Sequence, residues 1–511
     1  MIVKPTPDRL VPYHVAIPMR NLTCSGLLLL LCAPLFAQRI DNITHADFVE
    51  LPSATLDELA RSVVQQPLGG HDQRRRPRFV PQRAHANAIV ADFVTAPDAA
   101  PAPPVTRGFR SSFDPLPGAT IGYDPADAAG AVGPHHVVGA FNNSLVVHDR
   151  NGNLLSFLSI FQFWQGVTVG DTSLYDPRIM YDAVNDRWVL AMLADTNGRL
   201  GALLLATTTS GDPTGTWRRF RVASGSNPDF SLDFTRLALT SDQIVVTANV
   251  FDPVTAPGLD IFMFPKNVAF SSDPAAFSVT RAFVGGAFDF TPVTASDTTI
   301  RLLTQDDASI VQYIFDTTKL TYVNEYLPPV GFDLGDGECG QLGTTKTVEC
   351  DGSSLHYAFL RDGVLWVVHS ANDGARGFIV VWKITGSTAK GLVIRDATTN
   401  YGYPSIAVNR LGAALVGFST FNGSIYPSAG YRYIDPAGNV SEAGVVKNGE
   451  DWYSFSRWGD YSSTVVDPAD DTSFWTLQSY ATPPFGTNHA TWGTWWSYVQ
   501  VKGPRVRAVR H

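Results

Sequence analysis

Residues 233–240 read Asp233-Phe234-Thr235-Arg236-Leu237-Ala238-Leu239-Thr240, and residues 289–296 read Asp289-Phe290-Thr291-Pro292-Val293-Thr294-Ala295-Ser296. Each phrase opens Asp-Phe-Thr, runs on through a short apolar stretch and gives way to a polar turn and a β-branched run. A phrase that recurs in this way is the signature of a repeat protein assembled from small sheets.

Working outward, looser copies align by their apolar strand and the turn after it. The first holds Ala131-Val132-Gly133-Pro134, Val137-Val138 and Leu145-Val146-Val147, and the second runs from Asp176 through Trp188 to Leu205. The two opening phrases start the third and fourth copies. Leu355 to Trp382, Tyr403 to Tyr433 and Asp460 to Val501 supply the fifth, sixth and seventh. Each copy offers three or four short strands in meander order, too few to bury both faces of its own sheet, so the copies must pack on one another. Radial packing closes the set without long exposed edges. The expected fold is therefore all-β: a β-propeller of seven four-stranded blades over residues 121–503. Six or eight blades, a jelly roll and tandem sandwiches are the alternatives.

Composition agrees with that class. In 511 residues, 17% are charged and 11% aromatic, with 43 glycines and 34 prolines, as expected for many strands joined by tight turns. A formal net charge of −9 argues against nucleic acid, and none is expected as a partner. Gly26 to Phe36 is an apolar run preceded by Arg20 and followed by Ala37. It is too short for a membrane span, which needs about 20 apolar residues, and suits a secretory signal cleaved after Ala37. Residues 1–37 are thus read as a signal peptide, with 1–18 as an extension ahead of Met19. The protein is expected to be secreted or periplasmic and monomeric, with no transmembrane span in the mature chain. A lipid anchor on Cys32 is the alternative.

Residues 38–120 read as a linker or pro-segment. Asp47 to Gln66 shows helical spacing of Phe48, Leu51, Leu56, Leu59, Ala60 and Val63, and the basic run Arg74 to Arg78 and a Pro/Ala-rich stretch follow. Residues 504–511 form a basic tail. Export leaves two cysteines in the mature chain, Cys339 and Cys350, close enough in sequence to staple one hairpin in an oxidising compartment.

Gly130-Ala131-Val132-Gly133-Pro134, Tyr403 to Asn409 and Arg457-Trp458-Gly459-Asp460-Tyr461-Ser462 resemble a largely uncharacterised family of secreted bacterial β-propeller proteins. That resemblance implies fold and export, and transfers no catalytic residue. Ser210-Gly211-Asp212-Pro213-Thr214-Gly215-Thr216-Trp217 resembles the Asp-box hairpin of sialidase-type propellers, with its glycine one place late. The second resemblance implies, as an alternative function, an extracellular carbohydrate-active enzyme, a sialidase-like hydrolase or lyase. An arginine cluster would be drawn from Arg178, Arg236 and Arg457, and a tyrosine nucleophile from Tyr175, Tyr403 and Tyr461.

The repeat register locates the candidate site. The first strand of each blade lines the central channel, so equivalent positions at its start form a ring. Asp233, Asp289 and Asp460 are aligned at one such position and Asp127 and Asp176 at the next, where Tyr403 and Tyr461 stand in other copies. Oxygen donors so arranged suit calcium, at Asp233, Asp289 and Asp460, or a polar ligand against aromatic faces. The competing role is structural: aspartates at strand starts accept backbone N–H groups from adjacent loops. Trp452, Trp458, Trp492, Trp495 and Trp496 add aromatic faces that could stack on sugars. No histidine pair with metalloprotease spacing, nucleophile elbow or phosphate loop occurs. The function expected from the sequence is binding of a glycan or protein at the cell surface or outside the cell.

Overall fold

The computed structural model describes residues 37–501, apart from 41, 62–87, 98–101, 105, 114–124, 168–169, 226–228, 252–256, 274–276, 307–308, 318, 330–336, 351–354 and 485–490. The expected signal peptide, the basic run at Arg74 and the C-terminal tail lie outside the described residues.

Seven small sheets form a ring, a seven-bladed β-propeller. The innermost strands of blades 1 to 7 are Ala129–Val132, Ser173–Asp182, Ser231–Leu239, Thr291–Pro292, Leu355–Arg361, Asn400–Val408 and Ser463–Val466, one for each copy of the repeat and in the same order. Blades 1 to 6 each continue outward through three further antiparallel strands. In blade 7 only Phe474–Thr482 and Thr491–Val499 follow. Its fourth strand is Thr106–Phe113, so the propeller begins before residue 121 and its two chain ends meet in one sheet. The last innermost strand then abuts the first, with the Gly130 N–H donating to Ser463 Oγ at 2.8 Å.

The core lies between blades. Alternating side chains send Val189, Leu203, Leu205 and Phe220 of blade 2 against Leu237, Val246 and Phe262 of blade 3. Trp475, Trp492 and Trp496 of blade 7 meet Val137, Phe141 and Val146 of blade 1. Burying one such aliphatic or aromatic side chain contributes about 1.5–3 kcal/mol. Repeated around the ring, that explains why no blade need stand alone.

The segment expected to be a linker is instead a strap of edge strands. Ala37–Arg39, Asn42–His45 and Phe48–Thr55 pair antiparallel with the outer strands of blades 4, 3 and 2 in turn, and the short helix Leu56–Ala60 buries Leu56 and Leu59 against Leu158 and Ile160 of blade 1. A second pass starts again at blade 4 and runs the other way. Ala88–Val90 and Asp92–Thr95 join blades 4 and 5 in parallel, the Tyr431 hydroxyl of blade 6 donates to Pro104 O, and Thr106–Phe113 completes blade 7. Among the described residues of the helix expected over Asp47 to Gln66, only Leu56–Ala60 is helical, started by a capping box between Thr55 and Glu58. Pairing of Phe48–Thr55 with the open edge of blade 2 outweighs the helical spacing, because every open edge displays unpaired N–H and C=O groups. The Arg218 guanidinium fastens this pairing to Glu50 at 2.8 Å.

The hairpin Glu338–Cys339 with Val348–Glu349 lies between blades 4 and 5 in sequence, yet packs on Tyr403 and Phe421 of blade 6 and on Tyr453 and Trp458. Its cysteines form the expected disulfide, Cys339–Cys350, with Cα atoms 5.7 Å apart. Among the described residues, no helix is long and apolar enough to cross a membrane.

Candidate functional site

In five blades the entry to the innermost strand is built around a residue in an unusual backbone conformation. Asp127, Asp176, Phe234, Asp289 and Tyr403 all have positive φ, between 43° and 62°. For L-residues this region costs roughly 1–2 kcal/mol, so something must hold it. In blades 2, 3 and 6 the ladder breaks register at this point, a bulge that takes the residue out of its own sheet. Its N–H then bonds to a side chain of the preceding blade: Asp176 to Asn142 Oδ1 at 2.9 Å, Phe234 to Asp176 Oδ2 at 2.7 Å, Asp289 to Asn249 Oδ1 at 2.8 Å and Tyr403 to Ser370 Oγ at 3.2 Å. The repeated phrase is thus a blade-to-blade fastener.

This geometry corrects the register read from the sequence. Asp289 is equivalent to Asp127, Asp176 and Phe234, while Asp233 precedes the bulge and pairs in the ladder with Asn249. The carboxylates that gather are accordingly Asp127, Asp176 and Asp460, from blades 1, 2 and 7, all buried, with an oxygen of each within 4.8 Å of the others. Asp233 and Asp289, expected to share a calcium with Asp460, fall outside this group. Asp289 faces Arg236 at 3.1 Å, and that guanidinium also donates to Thr291 Oγ1 at 3.1 Å and lies 3.5 Å over the Phe234 ring.

The cluster spans the seam where the ring closes. Asp127 accepts the Asp460 N–H on Oδ1 at 2.8 Å and the Asn142 side-chain amide on Oδ2 at 2.8 Å. Gly459, at φ 139°, sets up this approach, and a Cβ there would lie 3.3 Å from Asp127 Oδ1. Asp176 accepts both the Phe234 N–H and the Tyr461 hydroxyl, the latter at 3.2 Å. Asp460 is paired with Arg457 at 2.8 Å, and Arg457 reaches Glu349 of the disulfide hairpin at 3.5 Å. Burial, followed by the charge of Asp460, raises the Asp127 carboxyl from 3.8 to about 6, whereas the Asp460 charge holds Arg457 firmly protonated. Three oxygen donors at this spacing could hold a hard cation such as Ca²⁺. Asp127 already accepts on both oxygens, so the first role of the cluster is to join blades 7, 1 and 2.

The residues considered for sialidase-like chemistry are separated by their partners. Arg236 and Arg457 are tied to different carboxylates, and Arg178 lies between the rings of Tyr357 and Tyr461, 4.8 and 4.6 Å from their centroids. The Tyr175 hydroxyl donates to Leu232 O at 2.8 Å and lies 3.1 Å from Asp195 Oδ2; that of Tyr403 donates to Glu349 O at 2.9 Å. Asn142, Glu349 and Tyr357 also belong to the site, although nothing in their local sequence departs from an ordinary turn or strand and so nothing marks them there. The Asp-box phrase closes a hairpin: Asp212 Oδ1 accepts the N–H and hydroxyl of Thr214, and the buried Trp217 donates to Pro213 O at 2.8 Å. Trp458, Trp492 and Trp496 are buried in the core, leaving Trp452 and Trp495 half-buried beneath Lys346 and Lys447.

No protein-family model matches the chain, and no curated protein matches it. Among solved structures it is similar to the endosialidase of phage phi92, with 9% identity, 83% of this chain and 76% of that one covered, and a TM-score of 0.39. It is also similar to the Hadza microbial sialidase Hz136, at 11% identity over 68% and 71% of the two chains with a TM-score of 0.36. The six-bladed fucose-binding lectin of Aleuria aurantia gives 11% identity over 57% and 83%, with a TM-score of 0.32. Overlaps this loose carry no argument about this chain, and the seven blades rest on its own sheets.

Proposed function

We propose that the protein is an exported binding scaffold that presents a rigid propeller face to a glycan or protein outside the cytoplasm. The observation that carries this reading is the engagement of the reactive groups at the strand starts. Tyr175, Tyr403, Tyr461, Arg236 and Arg457 are each held by a partner within the protein, several of them across a blade boundary. Catalysis by such groups needs a nucleophile beside a base and donors aimed at a common reacting centre. Binding needs only a fixed surface. Export follows from the apolar run before Ala37 and agrees with the Cys339–Cys350 disulfide, which an oxidising compartment preserves.

A glycan array probed with the purified protein, run beside a hydrolysis screen on sialosides and polysaccharides, tests the proposal. Saturable binding without turnover is expected. Turnover that disappears in Asp460→Ala would overturn the scaffold reading in favour of a carbohydrate-active enzyme.

A further inference from the structure

Unpaired N–H and C=O groups along the rim of a sheet template any strand that meets them, so natural edge strands are kept short or carry a charge. The rim of this ring follows that rule with one exception. Ala37–Arg39, Asn42–His45 and Ala88–Val90 have three or four residues each, while Phe48–Thr55, Asp92–Thr95, Thr106–Phe113 and Gly444–Lys447 hold Glu50, Asp92, Arg107 with Arg110, and Lys447. Leu154–Ser159, the outermost strand of blade 1, runs for six residues as Leu154-Leu155-Ser156-Phe157-Leu158-Ser159, with no charge and no proline. Its inner side pairs with Ser144–Asp149, and among the described residues no strand pairs with its outer side.

The side chains that this strand leaves outside the core are apolar. Its ladder breaks register between Leu154 and Ser156, and Leu154, Leu155 and Phe157 stand 58%, 48% and 37% exposed, whereas Leu158 packs with Leu56 and Ile160. What fits such an edge is another strand, as the strap shows on the rims of blades 2 to 5. Charge decides which strand. Each copy of the protein carries a formal net charge of −9, so two copies repel except where their surfaces are neutral. Leu154–Ser159 laid antiparallel against its own copy opposes no like charges, brings apolar side chains together, and through a two-fold axis closes both open edges at once.

We propose that Leu154–Ser159 is the docking edge for a second copy of this chain, paired antiparallel with the same strand of its partner. One strand edge is smaller than the about 800 Å² per partner of a stable complex, so the dimer is reversible and its dissociation constant micromolar. Sedimentation velocity of the intact protein over a concentration series tests it. The wild type is expected to pass reversibly from monomer to dimer. Leu155→Lys/Phe157→Lys should weaken association at least tenfold without lowering the melting temperature, since both side chains are exposed. Leu155→Glu/Phe157→Glu should do the same, and an equimolar mixture of the two variants should recover the dimer whatever the register of the strands. A wild type that stays monomeric at every concentration overturns the proposal without recourse to any variant, and protection of its Leu154–Phe157 amides from hydrogen exchange would then show the edge filled from within its own chain. A dimer that the lysine variant leaves intact, or a mixture that does not associate, overturns it as well. None of these outcomes touches the glycan reading, which the array tests separately.

Discussion

Asp176 and Asp289 hold the same place in blades 2 and 4, with the same left-handed backbone and the same N–H bond to an asparagine of the preceding blade, yet they meet opposite electrostatics. Asp289 pairs with Arg236. Asp176 shares a buried corner with Asp127 and Asp460, while the arginine two places along its own strand stacks on tyrosines instead of pairing with it. The backbone fastener is therefore independent of what the carboxylate does next. At blade 4 the charge completes an ion pair, and at the closing seam it accumulates.

Substitutions can break this contrast. Asp289→Ala should have the largest effect, a loss of about 3–5 kcal/mol in urea unfolding, because it leaves the Arg236 side chain buried without its carboxylate. An unchanged midpoint would mean that Thr291 and the Phe234 ring suffice to hold the guanidinium.

The second expectation concerns acid and uses a buried histidine as a counterweight. Burial lowers His369 from 6.5 to about 4, with its Nε2 accepting from Trp382 Nε1 at 2.9 Å. The unfolded chain then takes up the proton first, so this group's contribution is present above pH 6.5 and is lost as the pH falls towards 4, by about 3 kcal/mol. Asp127 works in the opposite sense. Its folded pKa of about 6 exceeds the ordinary 3.8, so its contribution is present below pH 3.8 and lost as the pH rises through 6.

Asp127→Asn sharpens the comparison with the smallest change. It keeps an acceptor for the Asp460 N–H and removes one charge from the crowded seam. The variant should be more stable than the wild type by about 1–2 kcal/mol at pH 8 and should show no advantage at pH 4, as read from paired unfolding curves. An equal difference at both pH values would show that Asp127 is not the titrating group.

Much of the ring was legible in the sequence, because each blade restates the same start: Asp176, Asp233-Phe234, Asp289-Phe290, Tyr403 and Asp460-Tyr461 mark five blade entries by residue type alone. The site was legible only to within one residue. A bulge adds a residue to one strand without altering composition, and this moved Asp289 into register with Phe234 instead of Asp233. The strap escaped for a different reason. Phe48–Thr55 has no alternating pattern of its own, since its strand conformation is imposed by the open edge of blade 2. The stacking of Arg178 on Tyr357 and Tyr461 joins blades 2, 7 and 5, a proximity that no local spacing encodes.

The strap also imposes an order of events. Thr106–Phe113 leaves the ribosome ahead of every blade, yet Ser112 finds its partner Thr494 382 positions later. The strands made first can be seated only last, after the sheets whose rims they cover exist. Until synthesis reaches blade 7 the growing chain carries open edges at both ends of an unfinished arc, and closure so distant in sequence makes for slow folding. A ring completed in this way is clasped by strands that were synthesised before any of its blades.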